Sequence, residues 1–284
     1  MELIRVKQWI KNLFVFTPLF FSFHFHPELF LKNVVAFLIF SLAASSVYIF
    51  NDIKDVEEDR KHPVKRYRPL ASGRIKVKHS VVLMVFLLLT SLITSFILDY
   101  RLFLVLTIYV LINILYSTKL KHISIIDLIV IAVGFDLRLL AGSITASISL
   151  SNWIVVITFL LAVFLAASKR REDFLLYLNS NKVRRNIDRY NLEFLNATMV
   201  FMASVIVVSY IMYTVSDSVV KRYNTDKLYL TSIFVILGIL RYMQITFVEN
   251  KSGNPTEIVI NDRFLQIVIV LWLISFFIIV RGGF

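Results

Sequence analysis

Long apolar segments dominate this chain and restrict what it can fold into. Segments 81–98, 153–167, 198–215 and 264–280 are almost free of charged side chains over helical lengths. Within a bilayer every backbone N–H and C=O group needs a partner inside the protein, and these segments lack the alternating apolar and polar residues of a barrel strand. The sequence therefore predicts an all-α integral membrane protein.

The hydropathy pattern predicts about nine transmembrane helices. They are expected at 12–29, 33–52, 80–98, 102–118, 125–146, 152–171, 196–215, 228–247 and 264–281. The first contains Pro18 and ends near His24, His26 and Pro27, so we expect it to be kinked or only partly buried, with eight helices as the fallback count. No linker or soluble insert interrupts residues 1–284, which indicates a single polytopic membrane domain.

The net charge of +12 reflects membrane topology rather than a nucleic-acid surface. Nine Lys or Arg residues fall within 53–79 and seven within 169–189, whereas the alternate loops carry few. The positive-inside rule places the N-terminus and both basic loops in the cytoplasm and, with nine helices, the C-terminus outside. We therefore expect a multi-pass protein of the cell membrane, with its functional face on the cytoplasmic side and no nucleic-acid partner.

A run of acidic residues follows the second predicted helix. Asn51, Asp55 and Asp59 are four residues apart, so on a helix their side chains share one face over ~12 Å of its axis. Mg²⁺ commonly takes one or two protein carboxylates and completes its coordination with phosphate oxygens and water. The spacing predicts a site for Mg²⁺-bridged pyrophosphate, with Asp52 joining from the other side of the helix end. The alternative is a solvated helix end whose carboxylates balance adjacent lysines.

Basic residues follow the acidic run directly. Lys65, Arg66 and Arg68 lie between Pro63 and Pro69, which stiffen the segment and hold several cations in one place. Arginine grips phosphate through a fork of N–H donors, and lysine acts as a point charge. We expect these three residues to bind a polyanionic ligand. The alternative is anchoring to anionic lipid head groups.

A second mixed cluster is expected where the sixth predicted helix ends. Lys169 and Arg170 are predicted to bind phosphate, while Asp173 or Glu172 orients them or contacts a hydroxyl group or a metal. The alternative is a further topology marker on the cytoplasmic side.

Charged residues also lie within the predicted membrane helices. Asp127 and Arg138 share a helix face but are ~16 Å apart along the axis, so each needs another partner. Gly134 and Gly142, beside Arg138, indicate close helix packing with a charge facing a cavity. The same argument applies to Arg241. Intramembrane charges of this kind are candidates for substrate binding.

Eight short motifs follow one another along nearly the whole chain. They are RVKQWIKN at 5–12, NDIKDVEED at 51–59, HPVKRYRPLASG at 62–73, YSTKLK at 116–121, GFDLRLLAG at 134–142, SNW at 151–153, KRRED at 169–173 and RYMQI at 241–245. The second resembles the NDxxDxxxD signature of the UbiA superfamily of membrane prenyltransferases. The combination is similar to the polyprenyl-phosphate (decaprenyl-phosphate) phosphoribosyltransferase branch of that superfamily.

This resemblance implies a reaction and an architecture. The reaction is transfer of 5-phosphoribose from phosphoribosyl pyrophosphate to a polyprenyl phosphate, with Mg²⁺ as cofactor and release of pyrophosphate. The architecture is a helical bundle around a central cavity open to the cytoplasmic side. Ordinary superfamily members carry a second Asp-rich motif, which KRRED replaces here with more positive charge. A lipid phosphate is already anionic at neutral pH, so its attack requires no general base.

The chemistry of the residues and the resemblance together suggest a role for each candidate. The expected metal ligands are Asn51, Asp52, Asp55 and Asp59, and the expected catalytic group is Asp55, Asp59 and Lys65. The expected substrate-binding residues are Lys11, Lys65, Arg66, Arg68, Tyr116, Lys119, Lys121, Arg138, Lys169, Arg170, Asp173 and Arg241. Asp136 stands where the family pattern has an apolar residue, and it is expected to pair near Arg138 or to alter the pocket.

Two other functions are compatible with the same residues. A prenyltransferase that moves a prenyl chain from its pyrophosphate to an aromatic or lipid acceptor keeps the fold and changes the chemistry, but the KRRED motif counts against it. A non-enzymatic carrier of a phosphorylated solute or lipid would use the same charges and release no pyrophosphate. The sequence has no cysteine, which excludes thiolate nucleophiles and sulfur metal sites.

Overall fold

The fold is all-α in the computed structural model, which describes residues 2–23, 26–61, 65–180, 190–251 and 255–282. The α-helices are α1 Thr17–Ser22, α2 Pro27–Lys54, α3 Val56–Lys61, α4 Val77–Leu98, α5 Tyr100–Thr118, α6 Ile126–Ala146, α7 Asn152–Ser180, α8 Leu192–Val215, α9 Asp217–Tyr223, α10 Ser232–Phe247, α11 Pro255–Asn261 and α12 Arg263–Gly282. Four 3-10 helices accompany them at Val6–Phe16, Lys65–Tyr67, Leu120–His122 and Lys227–Thr231. His24, Pro63 and residues 181–189 of the second basic loop lie outside the described residues.

Within the described ranges, eight helices are long and apolar enough to cross a membrane. They are α2, α4, α5, α6, α7, α8, α10 with the 3-10 helix before it, and α12. This confirms the predicted class of membrane protein with the fallback count of eight. The predicted bounds agree within a few residues, except that α2 begins at Pro27 and α7 continues to Ser180. Because α7 continues through apolar residues 174–176, KRRED lies inside this helix and does not close it.

The first predicted helix, 12–29, is not one membrane-length α-helix. Val6–Phe16 form a 3-10 helix, α1 follows, and Phe23 ends α1 in the left-handed conformation (φ 58°). Pro18 lies in the first turn of α1, where its missing N–H breaks no helical hydrogen bond. The interruption expected at this proline therefore takes the form of a change of helix type.

The N-terminal 3-10 helix runs antiparallel to α2. Three hydrogen bonds join them: Trp9 Nε1 donates to Ser45 Oγ (3.1 Å), Asn12 Nδ2 to Ser41 Oγ (2.9 Å) and Asn33 Nδ2 to the Val15 carbonyl (3.4 Å). Along these three bonds the residue numbers increase in the 3-10 helix and decrease in α2. The start of the chain, with Arg5, therefore lies at the end of α2 that carries the acidic run.

The helices form two compact units, Met1–Ser151 and Asn152–Phe284. In the first unit, α2, α5 and α6 pack around a core that includes Phe40, Leu106 and Leu137. In the second unit, Trp272 Nε1 donates to Tyr210 Oη (2.8 Å), which also hydrogen-bonds Thr231 Oγ1 (2.7 Å) and so links α12 to α8. Close packing and hydrogen bonds of this kind are what hold helices together in a bilayer, because lipid tails are as apolar as the side chains.

Gly142 of α6 packs directly against the backbone of the N-terminal 3-10 helix. A Cβ atom at this position would lie 1.8 Å from the carbonyl oxygen of Val15. That contact is with backbone, which cannot rotate away as a flexible side chain can. Only glycine therefore allows the two helices to pack at this distance.

We predict that Gly142→Ala destabilises the protein by about 1–3 kcal/mol, because the added methyl group forces the helices apart. Gly238→Ala in α10 is the matched control, since its Cβ would lie at an ordinary 3.8 Å from Val268 Cγ1. This control is expected to be neutral or slightly stabilising. Thermal unfolding of both variants in the same detergent is the measurement, and equal unfolding temperatures would contradict the prediction.

Candidate active site

The acidic run lies at a break between two helices. α2 ends at Lys54, Asp55 leaves the helical conformation (φ −95°, ψ 7°), and α3 begins at Val56. The backbone N–H of Asp55 still donates to the Asn51 carbonyl (2.9 Å), and that of Asp59 donates to the Asp55 carbonyl (2.8 Å). The shared face expected if 51–59 lay on one helix is therefore interrupted at Asp55, although the four-residue hydrogen-bond spacing is kept across the break.

Asp52 and Asp59 form one carboxylate pair. Arg68 Nη1 contacts Asp52 Oδ1 at 3.0 Å and Asp59 Oδ2 at 2.6 Å. Arg5 also pairs with Asp52 and lies over the Tyr48 ring, 5.3 Å from its centroid. The predicted face of Asn51, Asp55 and Asp59 is thus divided, since Asp59 joins Asp52 through Arg68.

Asp55 forms the second carboxylate position. Asn51 Nδ2 donates to Asp55 Oδ2 (3.0 Å), and Lys121 Nζ contacts Asp55 Oδ1 (2.5 Å). Lys121 comes from the short 3-10 helix after α5, so this contact joins two distant segments of the first unit. Of the two lysines in the 116–121 motif, Lys121 reaches the acidic run. Lys119 is exposed, and Tyr116 is half-buried in the last turn of α5.

The acidic cluster is formally neutral. Its three carboxylates, Asp52, Asp55 and Asp59, are buried, and they meet three cations, Arg5, Arg68 and Lys121. Carboxylates at the C-terminal end of a helix such as α2 are disfavoured by the helix dipole, and buried charges require partners. The three cations meet this requirement. By contrast, Glu57 and Glu58 are exposed.

Arg5 is a site residue that the sequence did not assign. It lies within the N-terminal motif, yet nothing in its spacing relates it to Asp52, which is 47 residues away. The antiparallel packing of the N-terminal 3-10 helix on α2 is what brings the two together. The only sequence signal available was the presence of Arg5 in a motif shared with a family.

The three residues of the predicted basic segment differ in how deeply they are buried. Arg68 and Lys65 are half-buried, whereas Arg66 is exposed, donates from Nη2 to Tyr67 Oη (2.7 Å) and stacks on the Tyr67 ring. Arg68 joins two of the carboxylates, those of Asp52 and Asp59. Lys65 begins the 3-10 helix Lys65–Tyr67, three residues before Arg68.

Arg138 is buried and its donors are used inside the first unit. Nε donates to Asn12 Oδ1 (2.7 Å), Nη1 to the Gly134 carbonyl (2.5 Å) and Nη2 to Tyr109 Oη (3.3 Å). Its guanidinium group also lies over the rings of Phe40, Tyr109 and Phe135, at 4.9, 5.1 and 5.3 Å from their centroids. These contacts favour a packing role for Arg138 over the predicted substrate contact.

Asp136 does not pair with Arg138. Its buried Oδ1 atom has no hydrogen-bond partner among the described residues. Two residues apart on a helix, the side chains of Asp136 and Arg138 point to nearly opposite sides of α6. The pairing expected from the sequence is therefore wrong.

The KRRED motif in the second unit combines side chains with different surroundings. Lys169 is exposed, and Arg170 is buried with Nη1 2.8 Å from Asp173 Oδ2. Arg171, which the sequence analysis left without a role, is buried and donates to Asn196 Oδ1 (2.9 Å), the Thr246 carbonyl (2.8 Å) and Asn250 Oδ1 (3.3 Å). Arg171 therefore links α7 to α8 and donates a hydrogen bond to a backbone carbonyl group at the C-terminal end of α10.

Arg241 is engaged by acidic partners in the second unit. It lies 2.7 Å from Asp262 Oδ2 and 2.9 Å from Glu249 Oε1, and Nη1 donates to Gln244 Oε1 (2.7 Å). The hydrogen bond from Arg241 lowers the pKa of Asp262 below its usual value. These contacts tie α10 to the segment before α12, which favours a structural role over the predicted substrate contact.

The acidic cluster offers suitable oxygen donors for a hard cation. Among the described residues, no three His, Cys, Asp or Glu side chains are grouped as a metal site, because the carboxylates point to arginine and lysine. Even so, the carboxylate pair Asp52–Asp59 and the neighbouring Asp55 with Asn51 fit Mg²⁺, which takes few protein ligands when phosphate oxygens supply the rest. The donor set therefore fits a divalent cation that arrives together with a phosphorylated ligand.

Comparison with known proteins identifies the family. The sequence model of the UbiA prenyltransferase family matches residues 13–174, more than half of the chain. The decaprenyl-phosphate phosphoribosyltransferase of Mycolicibacterium smegmatis is 32% identical over 95% of this chain and 88% of the relative. The enzyme of the same name from Mycobacterium tuberculosis is 30% identical over 95% of this chain and 90% of its own length. The chain therefore belongs to the UbiA prenyltransferase family.

A solved structure supports the same fold. A UbiA homolog from Archaeoglobus fulgidus, bound to GPP and Mg²⁺, superimposes with a TM-score of 0.72 over 98% of each chain, at 18% sequence identity. Both the predicted family and the predicted helical membrane architecture are confirmed.

We predict that Arg171→Met lowers stability by about 2–3 kcal/mol, because it leaves the Thr246 carbonyl and two Asn side chains without their charged donor. Lys169→Met, two residues earlier on the same helix, is the matched control and is expected to leave stability unchanged because Lys169 is exposed. Thermal unfolding in detergent compares the two variants. A Lys169→Met variant as unstable as Arg171→Met would refute this division of roles.

Proposed function

We propose that this protein transfers 5-phosphoribose from phosphoribosyl pyrophosphate to a polyprenyl phosphate and releases pyrophosphate. The observation that carries the proposal is the match of 95% of the chain to enzymes named decaprenyl-phosphate phosphoribosyltransferase. A match of that extent spans both units of the chain. It agrees with the reaction that the sequence motifs implied.

The acidic cluster is the position best suited to the donor pyrophosphate. Arg5, Arg68 and Lys121 each contact a buried carboxylate, and guanidinium and ammonium groups gathered in one place suit the oxygens of a pyrophosphate. Arg68 is the central group because one of its nitrogen atoms contacts two carboxylates. Lys65 and Arg66, in the same segment, provide further cations for the 5-phosphate end of the donor.

A divalent cation completes this site in the proposal, with Asn51, Asp52, Asp55 and Asp59 as its ligands. When bound, Mg²⁺ supplies positive charge to the pyrophosphate as it leaves. These four side chains would hold the cation, and Arg5, Arg68 and Lys121 would orient the donor phosphates and hold them in place.

The transfer step requires little covalent chemistry from the chain. A phosphate oxygen of the lipid forms a bond to C1 of the ribose while the bond from C1 to the pyrophosphate oxygen breaks, and the electron pair leaves with pyrophosphate. The lipid phosphate is anionic at neutral pH, so no side chain has to remove a proton. The cations around the site stabilise charge on the leaving group, and Lys119, Lys169 and Arg170 remain candidates for contacts with either substrate.

We place the reaction at the cytoplasmic side of the cell membrane. The positive-inside rule assigns the basic segment that follows α2 to that side, and a phosphoribosyl donor is a water-soluble anion. The polyprenyl tail would lie in the bilayer. We also propose that residues 1–284 form a single polytopic domain with a cavity open to the cytoplasm.

The experiment that tests the function measures pyrophosphate release by purified protein, with phosphoribosyl pyrophosphate, polyprenyl phosphate and Mg²⁺ present and each omitted in turn. The proposal requires that release depend on both substrates and that mass spectrometry detect a phosphoribosylated lipid. Activity on a prenyl pyrophosphate instead would make the protein an ordinary prenyltransferase. Ligand binding without turnover would favour the carrier.

We predict that Asp55→Asn and Asp59→Asn each lower kcat/KM by about 100-fold or more, because a neutral amide weakens both the metal site and the hold on the cations. Glu58→Gln is the matched control, since Glu58 is exposed beside Asp59 in α3, and it is expected to stay within about twofold of the wild type. The same pyrophosphate assay measures all three. Full activity of Asp55→Asn would remove this carboxylate from the site.

A further inference from the structure

Lys11 is a half-buried cation whose neighbouring charges are also positive. It belongs to the N-terminal 3-10 helix and precedes the buried Asn12. The positive charges of Arg138 and Arg5 lie near Lys11. Among the described residues, the Lys11 ammonium has no hydrogen-bond or ion-pair partner. Such a charge is unfavourable in a buried position unless an anion compensates it.

The two neighbouring arginines are already committed to other partners. Arg5 pairs with Asp52, and Arg138 uses its nitrogens on Asn12, Gly134 and Tyr109. They add positive potential around Lys11. The three N–H donors of the Lys11 ammonium have no partner among the described residues and can bind a ligand.

Lys11 is set back along α2 from the acidic cluster. Its neighbours Trp9 and Asn12 hydrogen-bond Ser45 and Ser41, which precede Asp52 by seven and eleven residues. This spacing corresponds to ~10 and ~16 Å along the axis of α2. Residues three apart align on a 3-10 helix, so Lys11 shares a face with Phe14, whose ring meets Phe135 of α6 at 5.0 Å. Lys11 therefore lies on the side of the 3-10 helix that turns toward α6.

We propose that Lys11 forms a second anion position, distinct from the acidic cluster, which takes a phosphate monoester. This inference rests on the proposed function, because both substrates carry that group: the 5-phosphate of the donor and the phosphate of the lipid acceptor. A phosphate monoester is largely dianionic at neutral pH, which suits a position surrounded by three cations. The ligand anion supplies the counter-charge that no described residue provides to Lys11.

The test measures binding of two probes separately, ribose 5-phosphate and a polyprenyl phosphate, to the full chain in detergent micelles. Without a complete substrate pair there is no turnover. Lys11→Met is expected to weaken binding of one probe by about 10- to 100-fold, because a charged hydrogen bond is lost. The affected probe identifies whether the subsite serves donor or acceptor. Lys7→Met is the matched control, since Lys7 is exposed on the same 3-10 helix, and it is expected to stay within about twofold.

Two results would overturn the inference: equal affinity of wild type and Lys11→Met for both probes, or a wild-type protein that binds neither. If Lys11→Met does not fold, Lys11→Gln removes the charge with a polar side chain and takes its place. Lys11-dependent binding by a protein that releases no pyrophosphate would support this subsite and refute the proposed function. Pyrophosphate release by a protein whose binding of both probes does not depend on Lys11 would support the proposed function and refute this subsite.

Discussion

Three buried carboxylates near the junction of α2 and α3 need compensating positive charges, and the packing of the first unit depends on this requirement. Asp52, Asp55 and Asp59 need cations, and each cation comes from a different segment: the start of the chain, the loop after α3 and the turn after α5. The N-terminal 3-10 helix can deliver Arg5 only by lying antiparallel on α2. That packing in turn requires the hydrogen bonds to Ser41 and Ser45 and the absence of a side chain at Gly142.

The same compensation explains how the site can serve a polyanionic substrate. In the proposed function, the carboxylates of this cluster would hold a divalent cation, and its arginine and lysine side chains would bind the donor phosphates. In the second unit, burial of a charged side chain does not by itself indicate a contact with substrate. Arg171 donates to a carbonyl group at the end of α10 and Arg241 pairs with acidic partners, whereas Lys169 is exposed.

The sequence predicted the membrane class, eight of the helices and the acidic and basic segments because each depends on local composition and spacing. It could not predict the 3-10 helix at Val6–Phe16, whose hydrophobic content also fits an α-helix. Nor could it pair Arg5 with Asp52, which requires knowledge of how two helices cross. For Arg138, the motif indicated a charge in a helix, but the partners Asn12 and Tyr109 come from other segments. Lys121 was assigned as a phosphate ligand without its contact to Asp55.

The dependence of pyrophosphate binding on Mg²⁺ shows directly whether the acidic cluster takes part in holding the ligand. Calorimetric titration of the purified protein with pyrophosphate, once with Mg²⁺ and once with a chelator, separates binding to the cations alone from binding that also uses the carboxylates. We expect strong binding of pyrophosphate only when Mg²⁺ is present, because without Mg²⁺ the carboxylates retain Arg5, Arg68 and Lys121. Equal affinity in the two titrations would contradict it, since the acidic cluster would then have no part in holding the ligand.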